Sequence, residues 1–526
     1  ILDQSFVAAG GAALMSAEIA GLLQCTTARF ANTNPEGFAL AASTARIAGA
    51  VLLDGASATG LVDFIGARIG GNLQCTGATF SNESGEALRG DQVLVGGIVL
   101  FDRLSAKGLV SLIGARIEGN LQCTGATFSN EGGEALRCDQ AHIRGGVQLD
   151  SVSAHGLVRF IDAEIDGSFE CYSARLTNKG LTALSAAGAR IGLGVYIADI
   201  TADGEVSLMN ARIGSSVSIC RVKVSHLPRY ALNLQTVHID GELQAFDNTF
   251  AGAVTLSGAR IGRLYDIPDT AWAGAGAIDL NELSYADLSA KPWFFQADRL
   301  HAQQGAEAKP KKSVQRPIWR ERADWLKRNT GMVGDDRCPF SNQPWRECAA
   351  ALARAGHYGD ARRLAREEQR EVNRQRAWWK QPFVWVFAEQ AFGYGLSVTR
   401  ATVMSLLFGV IGWAGASAML ERGILVDSRD PQAVKVCTTV DPVVYAVDVA
   451  IPVLDLKEES ICQPGRRTDA AAPAPLLIPF AVLGAFSIDE IAFWRWAKAL
   501  YAILGAIVIG FTILTYSGVF KPKADA

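Results

Sequence analysis

An exact internal period constrains this 526-residue chain more than anything else in it. Gly60, Gly108, Gly156, Gly204 and Gly252 stand 48 residues apart, and so do Ala67-Arg68-Ile69, Ala115-Arg116-Ile117, Ala163-Glu164-Ile165, Ala211-Arg212-Ile213 and Ala259-Arg260-Ile261. Residues 71–80 and 119–128 are identical. Each unit divides again, because Val95, Ile143, Ile191 and Ile239 fall between successive Ile69, Ile117, Ile165, Ile213 and Ile261, in steps that alternate between 26 and 22 residues. Self-similarity at this spacing is the mark of a stacked repeat architecture. Ala67 and Ile69 alternate with Gly66, Arg68 and Gly70, a strand period rather than a helical one, and the glycine content disfavours stacked helices.

The expected fold class is therefore mainly β: a right-handed parallel β-helix of about eleven coils over residues 1–265, alternating between 22 and 26 residues. Composition agrees. Only Pro35 and Pro228 interrupt the first 265 residues, and all eleven Trp lie after residue 271. Leu2-Asp3 matches Leu149-Asp150, so the sequence is expected to begin partway through a repeat.

Register turns the repeat into columns. Phe30, Phe80, Phe128 and Leu176 share one position. Asn32, Asn82, Asn130 and Asn178 share another, where an amide ladder is expected. Cys25, Cys75, Cys123 and Cys171, with Cys220 one residue off, stand two coils apart, roughly 9.6 Å. That spacing exceeds disulfide reach, so they read as buried free thiols packed as small hydrophobes. No Cys-x-x-Cys or Cys/His cluster is present to suggest zinc. Asp91 and Asp139 repeat in register, as turn residues do. The outward residue of the Ala-x-Ile strand gives the candidate binding column, Arg46, Arg68, Arg116, His142, Arg190, Arg212, His238 and Arg260, interrupted by Glu18, Leu94 and Glu164. It suits an anionic lipid surface or an acidic partner, or serves as a solvated edge that discourages aggregation. Longer loops near 82–87, 130–135, 178–183 and 226–231 come from alternate coils and form a second candidate surface.

Beyond residue 265 the character changes. Residues 266–340 read as a linker with a basic, Trp-containing run, in which Lys309, Lys311, Lys312, Arg316, Trp319, Arg320, Arg322 and Trp325 are candidates for contact with a membrane surface. Residues 341–398 read as a helical hairpin adaptor, with Ser341 and Asp360 as caps around a turn at 356–359. Residues 399–526 read as an α-helical membrane region with two uncharged spans, about 401–420 and 499–519. Arg374, Arg376, Lys380 and Arg400 precede the first and Lys521 and Lys523 follow the second, which puts both ends in the cytoplasm and 421–497 outside. Cys437 and Cys462 fall in that loop, where a disulfide can form on an oxidising side. The apolar stretches 442–456 and 473–488 are too short to cross upright and read as interfacial or re-entrant.

The coils resemble those of pentapeptide-repeat and bactofilin-like β-solenoids. The whole chain resembles a group of uncharacterised bacterial membrane proteins that share Gly-Ala-Arg-Ile-Gly-Gly coils, the hairpin from Gln343 to Arg363, and the Tyr-Ala-Val-Asp-Val-Ala-Ile-Pro-Val-Leu-Asp-Leu segment at 445–456. The resemblance implies a bacterial inner-membrane, multi-pass protein. Some members carry an oxidoreductase label, but no Gly-x-Gly-x-x-Gly follows a strand here and no redox Cys pair occurs. The leading expectation is a scaffold or interaction protein with a cytoplasmic rod. Its expected partners are the lipid bilayer and either a protein or a second copy. No cofactor, metal or nucleic acid is expected. A channel component is the alternative suggested by span, short segment, span, and a membrane-associated enzyme is the other.

Overall fold

The computed structural model describes residues 6–32, 37–288, 317–330, 332–333, 336–337, 340–375, 381, 389, 392–428, 436–437, 439–451, 454, 456–465, 476–480 and 484–517. It forms two compact units, residues 1–364 with 523–526, and residues 365–522.

The first unit is mainly a parallel β-solenoid of about eleven turns. A coil such as 116–141 runs through the short strands Arg116–Ile117 and Leu121–Gln122, turns, and continues along the bent strand Thr127–Arg137. Each strand pairs in parallel with its counterpart above and below, so Arg116 lies against Leu94 on one side and His142 on the other. Residues with positive φ recur at the turns, among them Gly66, Gln92, Gly114, Gln140 and Asp162. Side chains tie one turn to the next. Asp54, Asp102 and Asp150 accept from the backbone N–H of Thr76, Thr124 and Tyr172, and Asn72 and Asn120 from those of Ile98 and Gly146.

The 48-residue period has two physical causes. Inside, Phe80 pairs in register with Ala58 and Ala106, and Phe128 with Ala106 and Ala154. Along this part of the column a large ring faces a small neighbour above and below, an alternation that lets successive layers interdigitate. Outside, the extra residues of each long coil overhang the short coil that follows. A Cβ on Gly108 would lie 2.4 Å from the Asn82 carbonyl oxygen, and one on Gly156 2.5 Å from that of Asn130. Both glycines have φ above +100°, which L side chains rarely adopt. The repeated glycine found in the sequence is the seat of the neighbouring loop.

The solenoid extends further than the sequence pattern indicates. Arg260–Asp266 pairs with Ser284–Leu288, and Val254 and Thr255 with Ile278 and Asp279, so a further turn follows residue 265. Its sequence is irregular because helices close this end. Helix α1 (Pro268–Ala271) leads into Trp272, which is fully buried near Phe250. Helix α2 (Ile318–Lys327) buries Arg322, Ala323, Trp325 and Leu326. Helix α3 (Gln343–Arg354) adds Trp345, Cys348 and Leu352 to the same core. The edge carbonyls of the last strand are satisfied by side chains: Gln343 donates to Leu283, and Arg354 to Tyr285 and Ala286. Capping of this kind blocks edge pairing by another chain. Helices α2 and α3 thus cap the solenoid, where a linker and a hairpin adaptor are expected from the sequence. Asn342 rather than Ser341 occupies the α3 cap position, although Ser341 accepts from the Gln343 N–H at 3.3 Å. Helix α4 (Tyr358–Arg374) follows, with Asp360 in its first turn rather than at its cap.

The second unit contains α5 (Val398–Glu421), α6 (Pro442–Ala450), α7 (Glu458–Ile461) and α8 (Glu490–Tyr516). Helices α5 and α8 are long and apolar enough to cross a membrane, and only 17% and 11% of their most apolar windows is buried. They run antiparallel: Thr402 bonds Tyr516, Ser405 bonds Thr512, Phe408 stacks on Tyr501, and Arg422 pairs with Glu490. Of the two shorter apolar stretches, the first contains α6 and the second pairs Leu476–Phe480 with Gly484–Ile488.

Candidate binding column and its surroundings

The first two residues of each strand position the basic column; the strands are two residues long except those that begin at His238 and Arg260. In each, the Ile (Val95 in one) points into the core and the residue before it points out, so Arg68 is exposed while Ile69 is buried. The register carries this up the stack, from Glu18 through Arg46, Arg68, Leu94, Arg116, His142, Glu164, Arg190, Arg212 and His238 to Arg260. The structure therefore brings all eight predicted residues into one line, at about 4.8 Å per rung.

Their partners separate them into two groups. Arg46 reaches Glu18 at 4.0 Å, Arg190 bonds Glu164 at 2.9 Å, and His142 and His238 approach Asp166 and Asp240 at 3.7 and 3.0 Å. Arg68, Arg116, Arg212 and Arg260 make no ion pair among the described residues. Two of these stand directly beside another arginine, Arg68 beside Arg46 and Arg212 beside Arg190. Like charges opposite one another are destabilising, and here the repulsion is only partly offset. Next to the column runs a line of small residues that includes Ala48, Gly70, Gly96, Gly192 and Gly214, so several of the arginines rise above a low floor.

Comparison with family models, with curated proteins and with solved structures found no match.

The basic Trp run fares differently. Lys309, Lys311, Lys312 and Arg316 lie outside the described residues. Arg320 is exposed, with its guanidinium 5.3 Å from the ring centre of the half-buried Trp319. Arg322 and Trp325 are not surface residues. Both are buried in the cap, where the Arg322 guanidinium meets Asp266 at 2.6 Å and lies over the Trp325 ring. Burial alone would favour loss of the Arg322 proton; the Asp266 carboxylate outweighs it and holds the guanidinium charged. A basic side chain two positions from an exposed one looks alike in sequence, and only the face it occupies on α2 separates their roles.

The thiol column is internal. Cys25, Cys75, Cys123 and Cys171 are free and buried, as is Cys138. Burial pushes the thiols up, to about 11 for Cys25 and about 12 for Cys171. Cys220 departs from the expectation: its one-residue offset turns it to the opposite face of its strand, where it is half-buried beside Ser218. In the second unit Cys437 and Cys462 form a disulfide, beside the strand pair Leu425–Asp427 and Cys462–Pro464. Alkylation of the native, unreduced protein should leave Cys75, Cys123, Cys138 and Cys171 unmodified until unfolding, and Cys437 and Cys462 unmodified until reduction. Mass mapping after each step checks this, and prompt native labelling of Cys123 would contradict the core assignment.

Among the described residues the asparagines do not bond one another as an amide ladder. Asn82, Asn130 and Asn178 donate to the carbonyls of Glu86, Glu134 and Thr182 in their own loops, and His226 bonds Tyr230 at the equivalent place. Residues two coils apart are too distant to bond one another, so each closes its own overhang. Asp91 and Asp139 are turn residues as expected, accepting from the Ile113 and Ile161 N–H groups. A feature missed in the sequence lies beside them. Asp63, Arg89, Ser111, Arg137, Arg159 and Ser185 stack in register as a polar column. Within it Arg89 pairs with Asp63, and Arg137 and Arg159 share Asp139 and Glu134. Mutual satisfaction explains how the column is tolerated at a half-buried corner.

Proposed function

We propose that this protein is a membrane-anchored solenoid scaffold that holds an acidic segment of a protein partner along its basic column. The observation that carries the reading is the set of four exposed arginines, Arg68, Arg116, Arg212 and Arg260, that lack carboxylate partners among the described residues on a repetitive face. An extended acidic segment would relieve the repulsion between neighbouring rungs and reach guanidinium groups that favour bidentate carboxylate contacts. Glu18, Glu118, Glu164, Asp166 and Asp240 stand on the same face, so an occupant must set its negative charges at the arginines and away from these acids, which an extended segment can do and a uniform anionic bilayer cannot.

Anchoring rests on α5 and α8, whose exposed apolar side chains include Leu406, Val410, Ile411, Ile503 and Ile507. Side chains of this kind are stable against lipid and costly in water. Cysteine chemistry supports one sidedness. Free thiols in the solenoid suit a reducing compartment and the Cys437–Cys462 disulfide an oxidising one. The reading therefore puts the solenoid in the bacterial cytoplasm and the segment between the spans across the inner membrane, in keeping with the basic residues that flank them.

The test uses the full chain in detergent, with poly-glutamate as probe. Wild type should bind it with an affinity that falls as salt rises. The triple reversal Arg68→Glu, Arg116→Glu and Arg212→Glu should lose more than about tenfold, the effect of roughly 1.4 kcal/mol, without a shift in unfolding. Equal binding by both proteins would exclude the column as the site. Loss of binding to anionic vesicles alone would transfer it to a lipid surface.

A further inference from the structure

A half-open pocket of about 160 Å³ lies within the second unit, between α5, α6 and α8. Its wall is formed by Ile411, Ala416 and Met419 from α5, Tyr445 and Val449 from α6, and Trp494 from α8, among others. Two groups on this wall are unsatisfied. Tyr445 is 2% exposed and its hydroxyl makes no hydrogen bond among the described residues; the Trp494 indole N–H is also buried without an acceptor among them. An unmade hydrogen bond of this kind costs about 1–3 kcal/mol.

The chemistry of the guest follows. The indole can only donate and the phenol donates readily, so the guest offers acceptor oxygens on an apolar body. Lys498, also on the wall, is neutralised by Glu459 at 3.0 Å, so no anionic group is demanded. The cavity lies toward the end of the helix pair marked by the Arg422–Glu490 ion pair, and Trp494, Arg495 and Lys498 belong to the first turns of α8. In an inserted pair, tryptophan, tyrosine and charge at a helix end mark the interfacial layer, where acyl esters lie.

We propose that this cavity seats a bilayer phospholipid by one acyl ester, with the ester oxygens accepting from Tyr445 Oη and Trp494 Nε1 and the start of the chain against Ala416, Met419 and Val449. The proposal rests on the reading that α5 and α8 are inserted in a membrane.

The experiment reconstitutes the full chain in phosphatidylcholine vesicles that contain a lipid with a photoreactive group near the acyl carbonyl. Crosslinked peptides are then mapped by mass. Wild type should be labelled at Met419 or Val449 as well as on the exposed side of α8 around Trp496 and Leu500. Ala416→Phe fills the cavity and should reduce the inner label at least tenfold while leaving the outer label. Tyr445→Phe provides a check that survives any misfolding of the first variant. With an ester bound, loss of the hydroxyl should lower the unfolding temperature and the inner label together. With an empty cavity, the same change removes an unsatisfied group and should leave stability equal or higher, which would overturn the proposal. Outer label without inner label would also overturn it while leaving the membrane reading intact, whereas no label at either place would refute insertion itself. Displacement of the inner label by dilute methyl hexanoate, from protein that retains no phospholipid after delipidation, would assign the cavity to a free ester and end the phospholipid claim.

Discussion

Replacing Arg322 by Met should open the C-terminal end of the solenoid. The Arg322–Asp266 pair is almost completely buried, at 2.6 Å, and Asp266 also accepts from the Trp272 indole N–H at 2.7 Å. Removing the guanidinium leaves a buried carboxylate with no cation, at a cost of about 3–5 kcal/mol. The double change Arg322→Met and Asp266→Asn should recover part of that loss, because the charge disappears while the new amide oxygen can still accept from Trp272. Urea unfolding followed by tryptophan fluorescence reads the event directly, since Trp272, Trp325 and Trp345 are all buried in this region. The single variant should show an early transition at lower urea and should self-associate as the Ser284–Leu288 edge becomes available. An unchanged transition would show that the cap is not held by this pair.

The second large effect is expected at the centre of the stack. Phe128 is fully buried and lies in register between Ala106 and Ala154, neither of which can expand to fill a void. Phe128→Ala should therefore cost about 3–5 kcal/mol. A solenoid turn touches mainly the turns above and below it, so the loss should be local. Hydrogen exchange should accelerate first in the strands Ser105–Ser111, Thr127–Arg137 and Ser153–Arg159, with distant turns following later. Uniform acceleration from end to end would contradict the large-small alternation as the basis of the 48-residue unit.

Much of this architecture is legible in the residues because a solenoid repeats its environment. When Arg116 and Ile117 recur as Arg212 and Ile213, burial and exposure recur with them, so the coil length, the core positions and the basic column can all be read from register. Legibility fails where the environment stops repeating. The final turn around Ser284–Leu288 has lost the Ala-x-Ile pattern because its outer edge meets α3 rather than another coil, and the repeat does not signal it. Arg322 and Trp325 group with exposed basic residues in the sequence because composition cannot say which face of a short helix is covered. The asparagine column aligns correctly but its partners do not follow from alignment, since in-register residues two coils apart are not neighbours. The polar column of Asp63, Arg89, Arg137 and Arg159 is hidden because acids and bases substitute for one another along it, which defeats a search for identical residues. The cavity needs three helices brought together, and none of them announces it alone.

Attachment to a bilayer through α5 and α8 is the central claim, and alkaline carbonate extraction of membranes that carry the full chain tests it most directly. The protein should stay with the sedimented bilayer and be released only by detergent. Recovery of folded protein in the carbonate supernatant would contradict attachment, and would make the exposed apolar sides of α5 and α8 the contact surface of a soluble assembly.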